Sequence, residues 1–185
     1  MEKPAILAIV GSLRAKSFNR QLALATREVL GDRADFTILS YADVPLLNQD
    51  FEYPAPEPVR RVREAVKAAD GLWFFTPEYN HTYTGVLKNL IDWLSRPVSE
   101  TERQVLSQKP AAISGITPSI AGTIPAQDQL VMLLSLLNMR VMNYPRVSIP
   151  GARQLSDAQG NLTLGESLTF VEKQADAYLR FLQRQ

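Results

Sequence analysis

The sequence contains no cysteine. Disulfides, thiol redox chemistry and cysteine metal sites are therefore excluded. It contains a single histidine, His81, which is too little for a histidine-based metal site. It has no excess of either charge: 20 Lys and Arg stand against 19 Asp and Glu, a net charge of +1 at pH 7. No run of like charges stands out. A nucleic-acid groove or an anionic membrane surface would ask for a concentrated basic face, so neither is expected as the main partner. No apolar run is long enough to span a bilayer, and no charged-then-apolar leader opens the chain. A soluble cytoplasmic protein is the expectation.

What is present is alternation. At 185 residues the chain can bury a core of useful size, and one domain over residues 1–185 is expected. Ala5–Val10 is a short apolar run closed by Gly11. Leu22, Ala25, Thr26, Val29 and Leu30 then recur on a helical period, with Ser17 as an N-cap and Gly31 at the stop. Phe36–Leu39 is a weak second strand. Tyr41–Pro58 carries Pro45, Pro54, Pro56 and Pro58 and reads as a long loop. A helix through Val59, Val62, Val66 and Ala69 leads to a third strand, Gly71–Phe75. Val86, Leu87, Leu90, Ile91 and Leu94 mark a helix that stops before Pro97, and Pro110–Ile116 is strand four. Ala126–Leu137 reads as a helix, Arg140–Val147 as strand five, and Leu168–Leu182 as a last amphipathic helix. Strands alternating with helices make βαβ units and a parallel sheet. Five such units point to an α/β, flavodoxin-like three-layer sandwich with a five-stranded parallel sheet in the order 2-1-3-4-5.

Two polar segments sit where buried strands should end, and in an open α/β sheet ligands bind outside the carboxyl ends of the strands. The first is Gly11-Ser12-Leu13-Arg14-Ala15-Lys16-Ser17-Phe18-Asn19. Ser12, Ser17 and Asn19 offer side-chain donors, and Arg14 a guanidinium fork that suits phosphate. The segment enters the first turn of a helix, whose free N–H groups favour an anion. It is neither a Walker loop nor a dinucleotide fingerprint, because Gly11 stands alone and no glycine-lysine-serine follows. A plain strand-to-helix turn with a capping serine would use some of the same residues; the clustering of Ser, Arg, Ser and Asn favours phosphate.

The second segment, Pro77-Glu78-Tyr79-Asn80, couples a stiff proline to backbone donors and an aromatic ring, a fit for the polar edge of a flat heterocycle. It is also compatible with a turn whose tyrosine merely packs. His81 reads as a loop or surface residue. A third segment, Ser114–Gly122, has the small residues that would let a ring approach the backbone, although such composition is ordinary in loops. Lys88 and Asp92 form an i,i+4 pair on a helix surface, and Trp93 suits core packing or an interface. Leu130–Leu137 is apolar nearly all round and asks for burial on more than one side, within the monomer or against a second helix.

Taken together, these motifs resemble the NADPH-dependent FMN reductase family of flavodoxin-like proteins, the group that includes bacterial chromate and quinone reductases. The resemblance runs from Ala5 to about Leu182. It is carried by Gly11-Ser12-Leu13-Arg14 with Ser17 and Asn19, and by Pro77-Glu78-Tyr79-Asn80 continuing to Leu87-Lys88-Asn89-Leu90-Ile91-Asp92-Trp93-Leu94-Ser95. The resemblance implies that Ser12, Arg14, Ser17, Phe18 and Asn19 hold the phosphate of FMN. It implies that Pro77, Glu78, Tyr79 and Asn80 line the isoalloxazine ring, and that Ser114 and Gly115 close the third side. It implies a hydride passed from NADPH or NADH to FMN and on to a quinone, azo, chromate or free-flavin acceptor, in a ping-pong cycle at one face. No side chain is then required as general acid or base, and no metal. A homodimer or homotetramer is implied as well. The third segment departs from the family pattern, which is usually richer in glycine; Pro118 and Ala121 stiffen it here. Two other readings are a flavodoxin-like electron shuttle and a cofactor-free binding module. Such shuttles are typically acidic with a threonine-rich phosphate loop; the sequence pI of 8.0 and Arg14 weigh against one here.

Overall fold

The computed structural model describes residues 3–183. The expected domain is drawn over 1–185, and residues 1, 2, 184 and 185 lie outside the described residues. Strands β1 (Ala5–Val10), β2 (Asp35–Ile38), β3 (Gly71–Phe75) and β4 (Pro110–Ile116) pair in parallel in the order β2-β1-β3-β4. The register is fixed by pairs such as Ile6 with Phe36, Ala8 with Trp73, and Phe74 with Ile113. This is the flavodoxin-like order, with the fifth position shared by β5 (Arg140–Val141) and β6 (Val147–Ile149), both parallel to β4.

That division corrects the single strand expected over Arg140–Val147. Pro145 lies in the interruption and has no N–H to give the ladder. The Gln174 side chain repairs the gap. Its Nε2 donates to the carbonyls of Ile113 at 2.8 Å and Pro145 at 3.0 Å. The consequence for function is positional, because β6 brings its own carboxyl-terminal loop, Pro150–Arg153, beside the end of β4.

Alternation of side chains along each strand feeds two cores. Ile6, Ala8, Val10, Trp73 and Phe75 face helices α1 (Phe18–Leu30) and α5 (Leu168–Leu182). Leu7, Ile9, Leu72 and Phe74 face α2 (Glu57–Ala68), α3 (Gly85–Leu94) and α4 (Ile124–Leu136). Trp73 stacks on Phe75 at 5.7 Å and meets Tyr178 edge-on at 5.1 Å. The Tyr178 hydroxyl lies against the Leu72 and Pro110 carbonyls, and a Cβ at Gly71 would come within 2.4 Å of it, so Gly71 is the residue that lets α5 sit this close.

The segment between β2 and α2 is the expected long loop, with one turn of 3₁₀ helix at Gln49–Phe51. It is held from below by α3. Asn89 bonds both Pro45 and Leu47, Trp93 donates to the Pro45 carbonyl, and Arg96 grips Glu52 at 2.7 Å. Trp93 is therefore a core and loop-anchoring residue. Helix α4 buries Leu130 and Leu134 but leaves Met132 and Leu136 at 73% and 81% exposure. No helix among the described residues is long and apolar enough to cross a membrane.

Candidate functional site

The loops after β1 and β3 meet at the carboxyl ends of the sheet. Gly11 continues β1, its N–H donating to the Phe75 carbonyl at 2.8 Å. Its carbonyl accepts from Thr84 Oγ1 at 2.7 Å, and the same hydroxyl oxygen caps α3 by accepting from the Leu87 N–H. One threonine thus locks the first loop to the helix that follows the second. The Tyr41 hydroxyl donates to the Val10 carbonyl and fixes the strand end from the other side. Burial pushes that phenol well above its ordinary pKa, so it stays a neutral donor.

A cavity of about 400 Å³ opens between these loops, within the usual size of small-molecule sites. One wall is the start of α1. Ser17 is its N-cap, its hydroxyl accepting from the Arg20 N–H at 3.3 Å. The first N–H groups of a helix have no partner within it and carry the positive end of its dipole. Ser12, Arg14 and Phe18 line the same wall, with the Arg14 guanidinium 5.3 Å from the centre of the Phe18 ring. That contact holds the cation over the helix start without neutralising it.

The opposite wall is Pro77, Glu78 and Tyr79. Tyr79 and Thr82 exchange backbone hydrogen bonds at 3.0 and 3.1 Å around Asn80 and His81, whose φ angles are 54° and 62°. Two central residues with positive φ make a type I′ turn. The turn is docked on α4, where Glu78 Oε2 accepts from the Ala126 N–H at 3.3 Å and Gln129 donates to the His81 carbonyl at 2.8 Å. The Glu78 carboxylate therefore serves as a helix cap. Because the Tyr79 N–H is spent inside the turn, the donors that this run leaves for a ligand are the N–H groups of Glu78 and Asn80. Asn80 itself is an exposed turn residue outside the cavity lining, and His81 is exposed as expected.

Ser114 and Gly115, expected to close the third side, lie off the lining of this cavity. Ser114 is buried, and its hydroxyl accepts from Trp73 Nε1 at 2.8 Å and donates to Gln174 Oε1 at 2.6 Å. Gly115 is packed so tightly that a Cβ would come within 2.3 Å of Thr123 Oγ1 and 2.4 Å of the Thr76 carbonyl. Neither lines the cavity; the third wall begins two residues later, with Ile116, Thr117 and Pro118. Ser114→Ala is expected to cost about 2 kcal/mol, the penalty of leaving the buried Trp73 N–H and Gln174 oxygen without partners. It should leave ligand affinity unchanged. Urea unfolding beside a flavin titration checks both halves.

Asn19 also works differently from a simple phosphate donor. Its Nδ2 donates to the Ile116 carbonyl at 2.9 Å, and its Oδ1 accepts from the Ile116 N–H at 3.1 Å. Beyond Thr76, whose N–H donates to Ser114, the third strand turns away at Pro77. The Asn19 amide then takes the place of a strand and ties the start of α1 to the end of β4. Arg153, on the loop after β6, completes the cavity lining. Sequence reading missed Arg153, and held Ile116–Pro118 only as part of the Ser114–Gly122 segment. The signal was there in principle, since Pro150-Gly151-Ala152-Arg153 would follow a strand end had strand five been carried on to Ile149.

A larger cavity, about 980 Å³, lies between Tyr53, the 97–104 segment and Asn138, beside the start of β4. It is at the amino end of that strand, away from both loops, so size does not make it the site.

The profile of the NADPH-dependent FMN reductase family matches residues 4–154. The chain belongs to this family. It is 39% identical over 183 residues to an NAD(P)H-dependent FMN reductase of Pseudomonas aeruginosa, covering 97% of this chain and 95% of the relative. It is 35% identical over 178 residues to a 2-hydroxy-1,4-benzoquinone reductase of a Burkholderia species, with 96% of each covered. Among solved structures it is similar to FerB, a flavoenzyme NAD(P)H:(acceptor) oxidoreductase from Paracoccus denitrificans. The TM-score is 0.87 at 30% identity, with 98% of both chains covered. For a family named for FMN and NADPH, a cavity with a cationic helix start at one end and the Pro77–Tyr79 wall facing it has the right chemical polarity.

Proposed function

We propose that this chain is a single-domain FMN-dependent NAD(P)H oxidoreductase that reduces small quinone-type acceptors, with azo compounds, chromate and free flavin as further candidates. The observation that carries the reading is the donor set of the 400 Å³ cavity. Its α1 end offers Ser12, Ser17, uncommitted helix N–H groups and a guanidinium that has no carboxylate partner among the described residues, which suits a phosphate dianion. Its opposite wall is stiffened by Pro77 and by the type I′ turn, which suits a rigid planar ring.

When bound, FMN would supply the redox chemistry, accepting a hydride from the nicotinamide and passing reducing equivalents to the acceptor. The work of the chain is to bind and orient. Arg14, Ser12 and Ser17 hold the phosphate end. The N–H groups of Glu78, on that wall, and of Asn80, just beyond the lining, would donate to the polar edge of the ring and stabilise negative charge there. Pro77 and Tyr79 limit the faces from which a second molecule can approach. Glu78 is engaged by the N-terminus of α4 through Oε2 and lies 3.6 Å from His81 Nδ1 through Oε1, and the proposed chemistry asks no general acid or base of it.

One approach face means that reductant and acceptor use it in turn. Initial rates at varied NADPH and varied benzoquinone are expected to give parallel double-reciprocal lines. Intersecting lines would place both substrates on the protein together and reject the shared face. An electron shuttle would oxidise neither NADPH nor NADH without a partner reductase. We also propose that a second copy of the chain covers Met132 and Leu136, which lie one turn apart on α4; a monomer in sedimentation velocity would exclude it.

A further inference from the structure

Arg14 does not face the cavity alone. Arg153 lines it too, and among the described residues its guanidinium has neither a hydrogen-bond partner nor a carboxylate within ion-pair distance. The contrast with other arginines is direct: Arg33 is held by Asp176, Arg61 by Asp43, Arg96 by Glu52 and Arg146 by Asp128. The carboxylate on the cavity, that of Glu78, accepts from the Ala126 N–H through Oε2 and lies 3.6 Å from His81 Nδ1 through Oε1, and pairs with neither arginine. Lys16, the nearest other cation in sequence to Arg14, is turned away to the Gln159 carbonyl at 2.8 Å.

The backbone that carries Arg153 is well fixed. Thr117 N–H donates to Ile149, Gly151 N–H to Ser119, and Ala152 N–H to Thr117, at 3.1, 3.2 and 3.0 Å. Gly151, at φ 65°, turns the chain two residues before Arg153. Further on, Gln21 on α1 clasps the same segment, donating to the Gly160 carbonyl at 2.9 Å and accepting from the Leu162 N–H at 2.7 Å. A free guanidinium on a fixed backbone is thus set against the α1 wall. Two guanidiniums with no carboxylate partner among the described residues, and a helix N-terminus, repel one another around one cavity unless an anion sits between them. A phosphate monoester carries a charge of about −1.5 to −2 near neutral pH, more than Arg14 alone balances.

We propose that Arg153 is the second half of a two-arginine clamp on the phosphate monoester of FMN, with Arg14 as the first half. The inference rests on the FMN reading of the cavity and adds to it a specificity residue that separates FMN from riboflavin.

The test is a fluorescence titration of the flavin-free full chain with FMN and with riboflavin, in the wild type and in R153Q, R153K and R103Q. Arg103 is an exposed arginine at the other cavity and controls for loss of one positive charge. R153Q is expected to raise the Kd for FMN about 10-fold, the size of one charge-assisted hydrogen bond, and to leave that for riboflavin unchanged. R153K should recover part of the loss, and R103Q should match the wild type. Equal FMN affinity in R153Q and wild type overturns the clamp. So does a parallel loss for riboflavin, which would mark a structural role. Unchanged FMN affinity with a lost preference between NADPH and NADH would move Arg153 to the nicotinamide cofactor's phosphate and overturn the assignment to FMN. A wild type that binds neither flavin rejects the FMN reading itself, a result none of the other outcomes resembles.

Discussion

Asn19→Ala is expected to lower folding stability by about 3 kcal/mol and to weaken FMN binding about 10-fold. The residue is 2% exposed, and its amide is the partner of both the N–H and the carbonyl of Ile116. Alanine strands two buried backbone groups, each costing roughly 1–3 kcal/mol, and leaves a small void beside them. The binding loss follows by position. Without that amide the first turn of α1 is no longer tied to β4, and the helix start that faces the phosphate is free to drift. Riboflavin affinity should fall less than FMN affinity, because the displaced element serves the phosphate end. Urea unfolding and flavin titrations of the same variant measure both. Unchanged stability with lost FMN affinity would mean that Asn19 is a direct ligand donor and that its bonds to Ile116 carry little.

Gly115→Ala is the second large effect. The added methyl would lie 2.3 Å from Thr123 Oγ1 and 2.4 Å from the Thr76 carbonyl, and the second of these is backbone. Overpacking of this kind typically costs about 1–3 kcal/mol. Here we expect the upper end, because neither neighbour is free to yield. Thr76 is fixed by its N–H bond to Ser114, and Thr123 Oγ1 accepts from Gln127 at 2.9 Å. The strain falls on the junction of two cavity walls, since Thr76 precedes Pro77 and Thr123 precedes α4. FMN and riboflavin should therefore lose affinity together, about 10-fold or more. Thr123→Ala in the same chain should return only part of the stability, as the contact with Thr76 remains. A Gly115→Ala protein with wild-type unfolding midpoint and wild-type flavin affinity would show that the junction is looser than its packing.

These two residues mark where sequence reading succeeded and where it stopped. The first and third strands, the helices α1, α3 and α5, and the sheet order were legible because apolar periodicity is a local signal. So was the meeting of the first two loops, since both follow buried strands. Roles within the motifs were less legible. Asn19 belongs to the phosphate-loop pattern, yet its task is fixed by where β3 turns away, a relation across 97 residues. The burial of Ser114 was legible from parity: Ala112, Ser114 and Ile116 alternate toward α1 and α5, and Trp73 waits on that side. Strand five was read as continuous over Arg140–Val147, and the interruption depends on Pro145 together with a glutamine from the last helix. Missing that division hid the loop that carries Arg153.

The central claim is that the cavity holds FMN and that a nicotinamide dinucleotide reduces it there. An anaerobic absorbance titration of the FMN-loaded protein with NADPH, repeated with NADH, tests it most directly. The account predicts that the visible absorbance of protein-bound flavin bleaches stoichiometrically with at least one of the two and returns on addition of benzoquinone. A protein that retains no FMN, or a bound flavin that neither dinucleotide bleaches, would contradict it.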